Sequence, residues 1–360
     1  MRRFLLCIMI ALGLLFVVGC TEEDTPTNTD QNETDVDPPY INSITGPIEA
    51  IIGSEVNFAC DVASDADIDR YSWSFMAGTG DNSDYFYPAD GTTEGLWTPS
   101  GEAPDPFTEQ ANGSAATYTY NNRGRFMATL EVEDSDDYIK RQGYMVSVLP
   151  DEPDTSVFPP IIRAGLTEDI DGEDLNFQRF YSSADDKALV SVFADSENVL
   201  HSFGYADNND LHGDRIIVTR AEAGERLRVE GEGYFIMELT FDFDLNGAVH
   251  MWNPQAGDMV QISTYVTMNP LSEGGTPATA YLTDHAFFGS DGDQSYYFNG
   301  NHVVTDSVIV YASHEFEWQM MFGLETMQIV TGSDSSGSAV CFDGEDGFAR
   351  LNSVSIFIDK

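Results

Sequence analysis

Tyr234-Phe235-Ile236-Met237-Glu238-Leu239-Thr240-Phe241-Asp242-Phe243-Asp244-Leu245 alternates large apolar side chains with mostly polar ones. A period of two is the strand period. It sends Phe235, Met237, Leu239, Phe241 and Phe243 to one face and Tyr234, Ile236, Glu238, Thr240, Asp242 and Asp244 to the other. The run is a half-buried β-strand with the core on its aromatic side. Residues 259–268 repeat the pattern, with Val260, Ile262, Val266 and Met268 against Gln261, Ser263, Tyr265 and Thr267. Further strands are expected at 189–193, 215–219, 307–312, 316–330 and 351–359. Long helical periodicities are absent, and Gly, Asn, Asp, Ser and Thr supply turns. The fold class is therefore all-β, and residues 150–360 suit one large sandwich.

Residues 40–149 read as a smaller sandwich. In Tyr71-Ser72-Trp73-Ser74-Phe75 the three rings share a buried face. Gly53-Ser54-Glu55-Val56-Asn57-Phe58 opens another strand. Asn121-Asn122-Arg123-Gly124 turns the chain into the strand Arg125-Phe126-Met127-Ala128-Thr129-Leu130-Glu131-Val132. At these residues, with Asp65, Asp67, Asp69, Tyr118 and Tyr120, the stretch resembles the polycystic-kidney-disease (PKD) type domain. The resemblance implies an immunoglobulin-like sandwich serving as a surface spacer or binding module. It departs from the family at residues 76–115, where a long insertion holds Tyr85, Phe86, Tyr87 and Trp97. Such a loop is either an aromatic contact loop or a flap folded back over the sandwich edge.

The second half resembles the jelly-roll carbohydrate-binding modules. The residues concerned are Asp214-Arg215-Ile216-Ile217-Val218-Thr219, the run from Gly257 to Val266, and Asn352-Ser353-Val354. The order of folds is thus an immunoglobulin-like PKD sandwich followed by a larger jelly-roll-like one.

The N-terminus carries Arg2 and Arg3, an apolar run from Phe4 to Val18, and then Gly19-Cys20. That is a secretory signal, and the run is short for a permanent span. Val17-Val18-Gly19-Cys20 resembles the lipobox of bacterial lipoproteins. It implies cleavage after Gly19, a lipid on Cys20, and membrane attachment through that lipid. Residues 1–19 are then the signal and 20–39 a polar, lipidated tether. Glu22-Glu23-Asp24 resembles the acidic export signal of surface-exposed lipoproteins, which implies the outer membrane and the cell surface.

Beyond the signal, 14 basic residues meet 61 acidic ones, a net charge of −47. Nucleic acid and anionic lipid surfaces are repelled by such a body. Acidic solubility in salty surroundings, Ca²⁺ binding and a basic partner are the readings that acidity leaves. Cys60 and Cys341 remain in the mature chain, and Cys60, in register with Val56, Phe58 and Val62, is expected as a buried free thiol.

Aromatic rings stack on the apolar side of a pyranose, while carboxylates and amides bond its hydroxyls. If the strands at 234–245 and 259–268 share a sheet, Tyr234, Glu238 and Tyr265 form such a floor. Trp252, Tyr296, Tyr297 and Trp97 are further ring candidates. Asp242-Phe243-Asp244-Leu245-Asn246-Gly247 matches the first half of a Ca²⁺ loop, but its twelfth position is Asn253, and a strand entering an Asn-Gly turn explains it too. Asp169, Asp171 and Asp174 form a second acidic turn for a structural Ca²⁺. No G-x-S-x-G elbow, P-loop or G-x-G-x-x-G after a strand occurs. The expectation is a non-catalytic surface protein that binds extracellular polysaccharide. The alternatives are a Ca²⁺-stabilised envelope component and a polysaccharide hydrolase or lyase.

Overall fold

The computed structural model describes residues 38–75, 107, 109–149, 159–185, 188–207, 215–271, 276–289, 292–313, 316–331, 336–343 and 347–359. The signal, Cys20, the tether and Trp97 lie outside them. The first half contributes β1 (Tyr40–Thr45), β2 (Glu49–Ile51), β3 (Glu55–Ala63), β4 (Ile68–Ser74), β5 (Ala111–Asn112), β6 (Ala115–Thr119), β7 (Arg123–Asp134) and β8 (Ile139–Leu149). Then come β9 (Ile161–Arg163), β10 (Thr167–Asp171), β11 (Phe177–Ser183), β12 (Leu189–Ala194), β13 (Leu200–Asp207), β14 (Arg215–Glu230) and β15 (Gly233–Trp252). The chain closes with β16 (Met259–Pro270), β17 (Ala278–Phe288), β18 (Gln294–Ala312), β19 (Glu317–Val330), β20 (Gly337–Phe342) and β21 (Phe348–Ile358). One 3₁₀ turn, Gly172–Asp174, interrupts the strands. The protein is an all-β sandwich.

In the first half, β1, β3 and β6 form a three-stranded sheet. It packs on β4, β7 and β8 through Phe58, Trp73, Phe75, Tyr120, Phe126 and Leu130, all buried. Trp73 and Phe75 are fully buried, as their alternation requires, and Tyr71 packs at the margin. The end of the insertion folds back on this edge. β5 pairs with β4, the Trp73 indole donates to the Gly113 carbonyl at 2.9 Å, and the Phe75 N–H donates to Gln110 Oε1 at 2.6 Å. Cys60 is only half-buried, since burial along β3 falls off past Phe58, and Cys60 and Cys341 are free thiols.

The second half stacks two sheets. One is the twelve-stranded sheet in which β21, β15, β20, β13 and β12 follow one another. The other is six-stranded, in the order β11-β14-β19-β16-β17, with β9 beside β14. Between them lie Met237, Leu239, Phe241 and Phe243 from β15, and Val260, Ile262, Trp318, Met320 and Phe322 from β16 and β19, all buried. Truncating any of the large ones costs about 2–5 kcal/mol. The halves are joined edge to edge: β12 pairs with β7 from Ser191↔Phe126 to Ala194↔Arg123, and Phe193 sits in the first core. The expected boundary near residue 150 is therefore bridged by a continuous sheet.

β15 does not turn at Asn246-Gly247. It runs on to Trp252, paired with β18 throughout. Gly247 serves packing there, since a Cβ would stand 2.3 Å from the Phe342 ring. Residues 242–247 are therefore strand, with a register shift toward β21 between Asp242 and Phe243, and do not form the turn that the Ca²⁺-loop pattern would need.

Candidate functional site

β15 and β16 lie in different sheets, so the floor expected to join Tyr234 and Glu238 to Tyr265 does not form. The cause is the connection between them. Asn253 takes φ of 43°, and buried Asp258 accepts from the N–H groups of Gln255 at 2.7 Å and Thr331 at 2.6 Å. This corner carries the chain from one sheet to the other. Tyr234, Glu238, Asp242 and Asp244 face outward on the twelve-stranded sheet, whereas Tyr265 faces outward on the six-stranded one.

The outer face of the six-stranded sheet holds a layered array. One row across five strands is Tyr181, Arg220, Glu325, Ser263 and Asp284, and the next is Arg179, Glu222, Gly323, Tyr265 and Tyr281. With strands about 4.8 Å apart, each row spans about 19 Å. Tyr281 is 60% exposed and Tyr181 48%, at opposite ends of the array, while Tyr265 is only 4% exposed.

Tyr265 lies flat because Gly323 leaves room for it; a Cβ there would meet the ring carbon Cζ at 2.3 Å. Its hydroxyl donates to Glu222 Oε1 at 2.8 Å, and Arg220 stands over its ring at 5.8 Å. Burial, together with the Glu222 carboxylate, pushes its phenol well above the usual range. Arg220 in turn holds Glu325, Nε to Oε2 at 2.8 Å. Toward β17, Ser263 Oγ and Gln261 Nε2 both donate to Asp284 Oδ1, at 2.8 and 2.7 Å. Tyr265 is therefore the foundation of the face, not its contact surface. The open rings on this face are Tyr181 and Tyr281, set among fixed guanidinium, carboxylate and hydroxyl groups, and Phe288 at the far end of β17, 65% exposed opposite Met259.

The twelve-stranded sheet presents a different outer face. Asn301 Nδ2 donates to Asp242 Oδ1 at 2.6 Å and Asp244 Oδ1 at 3.1 Å; Asn352 Nδ2 reaches the same two side chains at 3.1 and 3.2 Å. These amide donors hold the Asp242 carboxyl below its usual value. Asn246 sits farther along this face opposite Asn299. Asp169 accepts from Ser355 Oγ, and Asp171 and Asp174 are exposed around the 3₁₀ turn. Among the described residues no three His, Cys, Asp or Glu side chains are grouped to hold a metal ion.

The other ring candidates are occupied. Trp252 is 5% exposed, stacked at 5.3 Å on Tyr205, because β15 continues through it and brings it onto Gly337. Tyr296 stacks on Phe287 at 3.9 Å, and Tyr297 meets the His250 ring edge-on at 5.7 Å. Tyr234 is open, 74% exposed and edge-on to its ladder partner Tyr311, and among the described residues no further ring stands in that row. Tyr181 and Tyr281 are not among the residues that the sequence pattern points to. Ala278, Ala280 and Leu282 point inward and Thr279 and Tyr281 outward, an alternation weakened by its small inward residues.

No protein-family model matches the chain, and no curated protein matches it. Among solved structures it is similar to a carbohydrate-binding module of the β-sandwich superfamily, at 14% identity and TM-score 0.24, covering 87% of this chain and 98% of that one. It is similar to the PKD domain of a peptidase from a Thermoplasmatales archaeon, at 19% identity and TM-score 0.21, covering 31% and 97%. A third similarity is to a mixed-linkage glucan utilization locus protein of Bacteroides ovatus solved with a heptasaccharide, at 10% identity and TM-score 0.20, covering 82% and 100%. These values place the chain in no family.

Proposed function

We propose that this chain is a non-catalytic polysaccharide-binding protein whose binding platform is the outer face of the six-stranded sheet, held at the outer membrane through the lipid on Cys20. One observation carries the reading: two exposed tyrosines, Tyr181 and Tyr281, stand at opposite corners of two adjacent rows of charged and hydroxyl groups that are already hydrogen-bonded among themselves. Sugars need both elements, an aromatic plane for the apolar ring face and oriented polar groups for the hydroxyls. Preorganisation by Gly323 and Glu222 spares the ordering cost that weakens flexible sites. The span of about 19 Å suits an extended glycan crossing the strands, not a single sugar in a pocket. Affinity electrophoresis of the mature chain through gels containing different soluble polysaccharides tests this. Retardation by at least one of them is expected; unretarded migration through all of them would remove the reading.

A further inference from the structure

The platform's charge is out of keeping with the rest of the chain. Against 61 acidic residues the protein has 16 basic ones, yet Arg163, Arg179, Arg220, Arg226 and Arg228 all belong to β9, β11 and β14, side by side in one sheet. Arg179 stands beside Tyr181, while Arg226, Arg228 and Arg163 follow farther along the same face toward the other end of β14. Arg179 and Tyr181 are two residues apart on one face of β11, so their side chains stand about 7 Å apart. Arg179 donates to the neutral Gln319 Oε1 at 2.8 Å, and Gln319 stands opposite Arg226 in the ladder. Arg228 follows Arg226 on the same side of β14, and Arg163 is held by Glu230 at 2.7 Å. The carboxylates facing these arginines are Glu222, Glu230 and Glu317. Among the described residues, the guanidinium groups of Arg179, Arg226 and Arg228 make no salt bridge within 4.0 Å, although the Arg226 backbone N–H donates to the buried Glu225 Oε1 at 2.7 Å and the Arg226 charge acts on that carboxylate.

Resting on the platform reading, we infer that the ligand is an anionic polysaccharide, that Arg179 binds a carboxylate or sulfate of the ring stacked on Tyr181, and that Arg226, reached through Gln319, binds the anion of a later unit of the same chain. Guanidinium groups that make no salt bridge in so acidic a chain match planar anions, which they bind in bidentate fashion. The long-range field of the protein opposes a polyanion, but at about 0.15 M salt charges beyond about 8 Å are screened and these arginines act at contact range. The opposite outer face, with Glu238, Asp242, Asp244, Asp169 and Asp171, offers the reverse character. That contrast selects one side of the sandwich.

The test is calorimetric titration of the mature chain at about 0.15 M salt with a polyuronate, a sulfated galactan and a neutral β-glucan. Binding to the polyuronate or the sulfated chain in preference to the glucan is expected, and which of the two binds identifies the anion. Arg179→Gln with Arg226→Gln should weaken that binding at least about tenfold, and Arg226→Lys should keep part of it, with melting curves unchanged. Equal or tighter binding of the neutral glucan, or anionic binding untouched by the glutamine variants, would overturn the inference and leave the platform standing. Failure of all three polymers would remove the platform as well.

Discussion

The Tyr265 hydroxyl donates to Glu222 Oε1 at 2.8 Å by crossing directly over Gly323 on the strand between them. Three residues on three adjacent strands thereby fix the level of the whole face. Gly323→Ala would put a Cβ 2.3 Å from the ring and lift it. Overpacking of this kind costs about 1–3 kcal/mol. A denaturant titration should show that loss, together with weaker glycan retardation; unchanged stability would mean the ring does not rest on the strand.

Burial and Glu222 raise the Tyr265 phenol above its ordinary value of 10.0. A raised acid of this type contributes stability that is complete below the ordinary value and is lost as pH climbs toward the raised one. The native chain should therefore show fewer phenolates above pH 10.0 than the unfolded chain, by ultraviolet absorbance. Tyr265→Phe should narrow the difference. Identical native and unfolded titrations would contradict the buried geometry.

The opposite sign holds across the sandwich. Asn301 and Asn352 lower the Asp242 carboxyl below 3.8, so its contribution is present above 3.8 and fades as pH falls through the lowered value. Asn301→Ala should raise the Asp242 midpoint toward 3.8 in a carboxyl NMR titration. A midpoint that does not move would show that the amide donates elsewhere.

Inside the core, Thr219 Oγ1 lies 2.6 Å from Ser202 Oγ and 2.7 Å from Thr326 Oγ1, with all three side chains buried. Each hydroxyl depends on the others for partners. Thr219→Val keeps the shape but removes the central one, and should cost about 1–3 kcal/mol in thermal or denaturant unfolding. A neutral result would mean the remaining Ser202 and Thr326 pair suffices.

Strand faces were legible from alternation alone. The inward rings of β15 and the burial of Trp73 and Trp318 follow from a period of two. Which sheet a strand joins does not, because alternation is the same in either sheet. Alternation therefore puts Tyr234 and Tyr265 on one floor, although the six-residue corner between their strands, held by Asp258, parts them. Asn246-Gly247 has the composition of a turn, yet the glycine answers to the Phe342 ring across the ladder. Trp252 looked open because Pro254 follows it, while its true partner, Gly337, is distant in sequence. The platform rings escaped notice for a similar reason. Tyr181 and Tyr281 stand in short, weakly apolar runs, and only the five-strand register brings them onto one face.

On the proposed function, the outer face of the six-stranded sheet binds glycan through its exposed tyrosines. The most direct test is the affinity of the mature chain and of the Tyr181→Ala/Tyr281→Ala double variant for the polysaccharide that retards the wild type most. Stacking contacts of this type contribute about 0.5–1.5 kcal/mol per ring beyond area burial, so the double variant should bind about tenfold more weakly or worse with its melting temperature nearly unchanged. Undiminished affinity in a folded double variant would contradict the account and move the search to another surface.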